Sequence, residues 1–182
     1  MSYLENLTKR LREHEGVVNH MYLDTLGYVT AAIGHLLSSP AMAQALPFLN
    51  PDGSKASPEE ISAEFWHVHA LEKAHLPGYY AIRTKLRLTS EFMDELLGKD
   101  ILANSPASLI PGFDSFPDPA KEALLDMSFQ LGAHGLVSKF PHLMQAVKSR
   151  DWNFCALLCK RQGIQEWRNT STSDLFRSAA AR

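Results

Sequence analysis

Residues 15–35, EGVVNHMYLDTLGYVTAAIGH, interrupt a chain in which apolar residues otherwise recur mainly at helical spacing. Just before this stretch, Leu4, Leu7 and Leu11 predict an amphipathic helix that ends near residue 16. Inside it, β-forming residues flank residues 24–27, DTLG, a turn signal whose glycine can adopt positive φ. The sequence therefore predicts one small antiparallel sheet near the N-terminus.

Helical signals resume after a loop at residues 38–56. Ser57, Pro58 and Glu60 form a capping-box pattern that begins a long helix, broken at residues 77–78. Further helices are predicted from residue 89 to near residue 98 or shortly after, and at residues 118–131, 138–149 and 152–162. Seven or eight helices with one small sheet predict an α+β fold.

The composition fits a single globular domain and excludes several classes of function. The chain has 182 residues, 45% apolar and 21% charged, which is enough to bury a substantial core. Its net charge of -2 gives no basic field for nucleic acid, and no apolar run approaches the roughly 18 residues of a membrane span. The N-terminus lacks the hydrophobic region of a signal peptide, so we expect synthesis in the cytoplasm. Cys155 and Cys159, four residues apart in a predicted helix, are expected to be buried, reduced thiols.

Three residues of the 15–35 stretch have the chemistry that glycosidic hydrolysis needs. That reaction takes one carboxylic acid to protonate the leaving oxygen and a second carboxylate on the other side of the bond. Glu15 closes the first predicted helix, where apolar neighbours would favour its protonated form, and Asp24 lies in a turn, where water would favour its ionised form. Thr30, in the returning strand, offers a hydroxyl that could hold the attacking water.

The same stretch resembles the N-terminal segment of the phage-type (T4 lysozyme-like) muramidases, glycoside hydrolase family 24. That family has a helix-end E-G followed by Y-x-D-x-x-G-x-x-T-x-G-x-G-H, and residues 11–37, LREHEGVVNHMYLDTLGYVTAAIGHLL, are similar to it. Residues 113–140, FDSFPDPAKEALLDMSFQLGAHGLVSKF, resemble the family's central helix and the loop after it. Residues 166–177, EWRNTSTSDLFR, resemble its C-terminal cleft segment more loosely.

The resemblance implies a mostly helical lysozyme-like fold with two lobes. The single domain, residues 1–182, would have an N-terminal lobe with a small antiparallel sheet at about 16–58, a connecting helix at about 58–75 and a helical C-terminal lobe at about 76–182, with the helix at 2–15 packed on that lobe. Glu15 would be the general acid, Asp24 the carboxylate that activates water in this inverting family, and Thr30 the hydroxyl that positions the water. Substrate contacts would come from Tyr22, Gly34, His35, Gln130, Phe140, Trp167, Asn169 and Thr170.

The implied function is that of a lysozyme, which cleaves the β-1,4 bond between N-acetylmuramic acid and N-acetylglucosamine in bacterial lysis or antibacterial killing. The alternative is a catalytically weak or inactive protein of the same fold that binds wall glycan or a protein partner. The expected partner is the peptidoglycan glycan strand, and a cognate immunity or inhibitor protein is a second candidate partner. The protein is expected to be a monomer. The protein would act on the cell wall in the periplasm or outside the cell, after holin-type release or dedicated secretion.

No cofactor and no metal are expected. The histidines at 67, 69 and 75 lack the H-E-x-x-H pattern, and at helical spacing the first two point to different faces. Surface or interface histidines are the simpler interpretation.

Two departures from the family pattern define further expectations. Ala32 stands where the family has the first glycine of T-x-G-x-G-H, so it would either narrow the floor of the cleft or, with an unusual φ, cost about 1 kcal/mol of strain. The chain is also longer than a typical member within residues 73–111, by roughly twenty residues. The apolar residues of this segment predict a packed helix on the larger lobe, which shapes one wall of the cleft, presents a surface to a partner or simply stabilises the fold.

Overall fold

The computed structural model describes residues 2–181, and within them it is about 58% helical, with ten α-helices and one three-stranded antiparallel sheet. This architecture is α+β, as predicted. The helices are α1 (Tyr3–Glu15), α2 (Pro40–Gln44), α3 (Pro58–His69), α4 (Pro77–Ala81), α5 (Ser90–Ala103), α6 (Asp118–Leu131), α7 (Ala133–Lys139), α8 (Pro141–Ser149), α9 (Trp152–Leu158) and α10 (Glu166–Ala180). The strands are β1 (Val18–Leu23), β2 (Val29–Ala32) and β3 (His35–Leu36).

The sheet occupies the stretch where the sequence predicts it, in the order β1-β2-β3. The β1–β2 hairpin is closed by the predicted DTLG turn, in which the Asp24 N–H donates to the Tyr28 carbonyl over 2.9 Å. Gly27 has φ +90°, a conformation that glycine adopts without strain. A bulge between Val18 and Tyr22 shifts the register of β1 before the turn.

The predicted capping box at the start of α3 is present. The Ser57 hydroxyl accepts the Glu60 N–H over 3.2 Å, and the Glu60 carboxylate accepts the Ser57 N–H over 2.7 Å. However, α3 ends at His69 and does not continue towards residue 75 as predicted. Ala74, with φ +69°, lies in the left-handed region, which a right-handed helix cannot include.

Other helix boundaries also differ from the prediction. The helix expected from residue 138 begins at Pro141, because proline has no N–H and suits the first helical turn, and residues 133–139 form a separate short helix. The next helix ends at Leu158 rather than near residue 162. The short helix α2 lies inside the predicted 38–56 loop, where five residues are too few to show a helical period.

The chain forms two compact units, which we call the sheet unit (Glu15–Lys99) and the helical unit (residues up to His14 and from Asp100 onwards). Residues 58–99 therefore belong with the sheet, whereas the predicted limits placed them in a connecting helix and the C-terminal lobe. Backbone contacts explain this: the Leu88 N–H donates to the Asn19 carbonyl over 2.8 Å, next to the start of β1. None of the described helices is both long and apolar enough to cross a bilayer.

Each unit has an apolar core. In the sheet unit, Met21, Phe48 and Tyr80 are among the fully buried side chains. In the helical unit, α6 is buried along most of its length, and the rings of Trp152 and Phe176 stack with centroids 6.5 Å apart. Cys155 and Cys159 are both free and buried, as predicted, and burial raises the pKa of the Cys155 thiol to about 12.

Candidate active site

One face of the sheet collects the polar residues predicted to carry the chemistry. Side chains alternate along a strand, so Tyr22 and Asp24 project from the same face. Tyr22 lies opposite Thr30 in the β1–β2 register, and Thr30 lies opposite Leu36 in the β2–β3 register, which places all four side chains on that face. Strand pairing therefore brings Thr30 opposite Tyr22, and Asp24 follows directly after the end of β1.

The main chain of Tyr28 ties Asp24 to Thr30. One carboxylate oxygen of Asp24, Oδ1, accepts the N–H groups of Leu26 and Tyr28, each over 2.9 Å. The Tyr28 carbonyl in turn accepts the Asp24 N–H over 2.9 Å and the Thr30 hydroxyl over 3.2 Å. Among the described residues no hydrogen bond reaches Oδ2 of Asp24. The turn therefore fixes the carboxylate through one oxygen, and Asp24 borders the cavity described below.

Glu15, the last residue of α1, is half-buried and lies against the β2–β3 turn. A Cβ added to Gly34 would be 3.4 Å from Oε2 of Glu15, so the glycine and the carboxyl group are in van der Waals contact. Gly34 has φ +70°, where a side chain would be strained whatever the space around it. This turn glycine therefore provides the surface on which the Glu15 carboxyl rests.

Tyr22 reports on the electrostatics of the site. Burial, and then the negative charges of Glu15 and Asp24, raise the pKa of its phenol to about 12. Both carboxylates are therefore close enough to act on one hydroxyl group. The phenol stays neutral at physiological pH and can donate a hydrogen bond.

These residues line one cavity of about 740 Å³ within the sheet unit. Five predicted site residues border it: Glu15, Tyr22, Asp24, Thr30 and Gly34. The hairpin residues Leu26 and Tyr28 border it too, as do Ala74, His75, Leu76 and Pro77. The sequence analysis did not single out this last group as site residues, because its only signal was its position at the start of the unexplained 73–111 segment.

The sixth predicted residue of the sheet unit, His35, does not line this cavity. It is the first residue of β3, half-buried and paired in register with Ala31. Its predicted contact with substrate stays a prediction.

The other predicted substrate contacts belong to the helical unit. Trp167 and Thr170 are exposed and border a separate cavity of about 370 Å³ together with Arg10. The Trp167 ring packs edge-on against His14, with centroids 4.8 Å apart. Phe140 is half-buried between α7 and α8.

Two predicted contacts of the helical unit have partners inside the protein. The Asn169 side chain is buried, accepts the Arg161 N–H over 3.0 Å and donates to the Arg161 carbonyl over 3.0 Å. The Gln130 amide oxygen accepts from the Arg161 guanidinium over 2.7 Å. Both residues therefore help to position Arg161, whether or not they also contact a substrate.

Among residues 2–181, no group of three or more His, Cys, Asp and Glu side chains has an arrangement that could hold a metal ion. His69 packs against Phe65 and Trp66, and His75 stacks on Tyr79. These two histidines therefore take part in aromatic contacts.

The sequence of the chain matches no family model and no curated protein.

Proposed function

We propose that this protein is a peptidoglycan hydrolase, a muramidase of the lysozyme type that cleaves the β-1,4 bond between N-acetylmuramic acid and N-acetylglucosamine. One observation carries the proposal: Glu15, Asp24 and Thr30, which resemble the family's catalytic residues, border a single cavity. The α+β architecture is compatible with the lysozyme-like fold that the resemblance implies.

Glu15 is the proposed general acid. Its position at the end of α1, half-buried against Gly34, places its carboxyl group at the edge of the cavity. A protonated carboxyl group can donate its proton to the glycosidic oxygen as the bond to the leaving sugar breaks.

Asp24 and Thr30 are the proposed water-activating pair. The turn amides hold Oδ1 of Asp24, while Oδ2 accepts the proton of the attacking water. The Thr30 hydroxyl, which shares the Tyr28 carbonyl with the Asp24 N–H, orients that water. The proposal is an inverting mechanism, which needs roughly 6.5–9.5 Å between the two carboxyl groups to accommodate the water.

The substrate defines where the protein would act. The proposed partner is the glycan strand of peptidoglycan, so hydrolysis would take place in the cell wall after release from the cytoplasm. The proposed roles of an endolysin and of a secreted antibacterial effector share this chemistry and differ only in the route of release.

The test compares Glu15→Gln with the wild-type protein in the release of reducing ends from purified peptidoglycan. We expect the rate to fall by about a hundredfold or more, because the amide cannot supply the proton. Glu13→Gln is the matched control: Glu13 lies in the same helix, is exposed and does not border the cavity.

Wild-type turnover in Glu15→Gln would rule out Glu15 as the general acid. Binding of glycan by a wild-type protein that releases no reducing ends would instead support the alternative, a lysozyme-fold protein that binds the wall without cleaving it.

A further inference from the structure

A short segment outside the three motif stretches that carry the family resemblance forms part of the cavity surface. We call residues 72–77, EKAHLP, the cleft strap. Its last four residues border the same cavity as Glu15 and Asp24. The strap also meets the hairpin turn, since a Cβ on Gly27 would lie 3.2 Å from the Lys73 side chain.

The two ends of the strap are tied to buried side chains. At its start, the hydroxyl of the fully buried Tyr80 donates to the Glu72 carbonyl over 2.8 Å. At its end, Nε2 of the buried His20 lies 2.9 Å from the Pro77 carbonyl, to which it donates. Burial lowers the pKa of His20, so the ring is neutral near pH 7 and its one N–H is used in this bond. Both anchors are in the sheet unit, so the strap is part of the sheet unit's fixed structure.

The middle of the strap is fixed as well. The His75 ring stacks on Tyr79 with centroids 3.8 Å apart and an interplanar angle of 12°, and the Arg83 guanidinium packs on the same tyrosine ring at 3.7 Å. The Glu72 carboxylate lies 3.2 Å from Nε2 of His75. Ala74 keeps its left-handed conformation between these contacts, which indicates that the surrounding structure determines the backbone there.

This fixed segment presents an exposed apolar side chain beside the carboxylates. Leu76 is 83% exposed although its neighbours His75 and Pro77 are held in place. Leu26, Tyr28 and Leu36 are exposed apolar residues of the hairpin and β3, and they border the same cavity. Single exposed apolar residues are common, but four around one cavity form a patch of the kind that marks a ligand-binding groove.

We infer that the cleft strap is a specificity-determining wall of the cavity, in which Leu76 contacts the glycan beside the bond that is cleaved. The matching chemistry is that of an N-acetylated sugar, whose C–H ring face and acetamido methyl group are apolar. This inference rests on the proposed function, and it adds a substrate contact from a segment outside the motif stretches that carry the family resemblance. Leu76 does not touch the reacting atoms in this scheme, so it affects substrate binding rather than the chemical step.

The experiment compares Leu76→Ser with Ile82→Ser. Ile82 is a matched control because it is apolar, 82% exposed, close in sequence and outside the cavity lining. The substrate is a soluble tetrasaccharide of alternating N-acetylglucosamine and N-acetylmuramic acid. We expect Leu76→Ser to lower kcat/KM about tenfold, through KM with kcat unchanged, because a contact made equally in the bound substrate and the transition state is lost. Ile82→Ser should match the wild type in both constants.

A binding measurement distinguishes failure of this inference from failure of the proposed function. Calorimetric titration of the same tetrasaccharide into Glu15→Gln, with and without Leu76→Ser, measures the contact without turnover. An approximately tenfold weaker Kd with Leu76→Ser supports the wall even if the wild type hydrolyses nothing, in which case the proposed function alone fails. Equal effects of the two serine variants, an unchanged Kd or no binding by Glu15→Gln would overturn the inference. Both positions are exposed, so equal melting temperatures serve as the check that the variants fold.

Discussion

At the scale of single residues, two glycines and two alanines in the segments that border the cavity have positive φ. Gly27 and Gly34 do so without strain and lie against Lys73 and Glu15, respectively. Ala32 and Ala74 take the same left-handed region, with φ +57° and +69°. The strain expected at Ala32, from its place in the family pattern, therefore corresponds to an observed conformation. Ala74, in a segment without that pattern, carries the same kind of strain.

The two alanines should respond differently to replacement by glycine. An L-residue in the left-handed region costs about 1–2 kcal/mol, and the greater freedom of glycine in the unfolded chain returns about 0.5–1 kcal/mol of that. Ala74 is exposed, so Ala74→Gly should raise the free energy of unfolding by about 0.5 kcal/mol. Ala32 is buried, so Ala32→Gly also loses about 0.8 kcal/mol of methyl burial and should be no more stable than the wild type.

Urea denaturation of the two variants beside the wild type measures these differences. A larger gain in the free energy of unfolding from Ala32→Gly than from Ala74→Gly would contradict this prediction.

At the scale of helices and strands, short sequence motifs predicted correctly those features that depend on a few neighbouring residues. The DTLG turn, the α3 capping box and the end of α6 at Gly132 are each determined within a few residues, and each is found where it was predicted. The lengths of α3 and α9 were not predictable in this way. Where a helix ends depends also on contacts with residues further along the chain. The cleft strap that follows α3 is an example, because its Glu72 carbonyl is held by Tyr80, eight residues later.

The surroundings of a buried charge in α6 could not be predicted from local sequence signals either. Asp126 is a charged residue among the buried, mainly apolar side chains of α6, and basic side chains that are distant in sequence surround it in the structure. Its carboxylate lies 3.3 Å from Nδ1 of His14, 3.0 Å from the Arg161 guanidinium and 3.2 Å from that of Arg168. The Thr172 hydroxyl donates to it over 3.1 Å. Such partners, 35 to 112 residues away, cannot be identified from one sequence.

The Asp126 cluster should make stability depend on pH in the acid range. Burial opposes the charge of Asp126, but the His14 hydrogen bond and the charges of Arg168 and Arg161 lower its pKa well below the usual value. A group whose folded pKa is lowered contributes stability that is present above its unfolded pKa of about 4 and is lost as pH falls. We therefore expect Asp126→Asn to lower the free energy of unfolding by about 3–5 kcal/mol at pH 7, because two buried guanidinium groups lose this carboxylate.

Chemical denaturation of the wild type and Asp126→Asn at pH 7 and at about pH 3 checks this prediction. The difference between the two proteins should shrink at the lower pH. Asp118→Asn is the control in the same helix: its carboxylate is half-exposed and pairs with Lys121, so its removal should cost less than about 1 kcal/mol. A cost for Asp126→Asn no larger than that of the control would contradict the role of the cluster.

At the scale of the whole chain, the α+β class followed from the sequence, but the allocation of the middle segment did not. The helix predicted within residues 73–111 is present as α5, and the apolar residues that predicted its packing are mostly buried, including Met93, Leu97 and Ile101. Residues up to Lys99 nevertheless group with the sheet. The reason is pairing across large sequence separations, such as Leu88 with Asn19 and Pro77 with His20, which leaves no periodic signal in the chain.

The same reason applies to the candidate site. Glu15, Asp24 and Thr30 were predictable because their motif lies within sixteen residues, whereas the strap joins the cavity from about fifty residues further along. The motif could therefore suggest the reaction, but only the fold shows which other residues border the cavity.

The central claim is that the cavity cleaves the glycan after N-acetylmuramic acid, and the identity of the new chain end tests it most directly. Purified peptidoglycan is digested with the wild-type protein, the soluble fragments are reduced with borohydride, and their ends are identified by mass spectrometry. Our account predicts fragments that end in reduced N-acetylmuramic acid, and none above background with Glu15→Gln. Fragments that end instead in reduced N-acetylglucosamine or in 1,6-anhydro sugars, or the absence of soluble fragments, would contradict it.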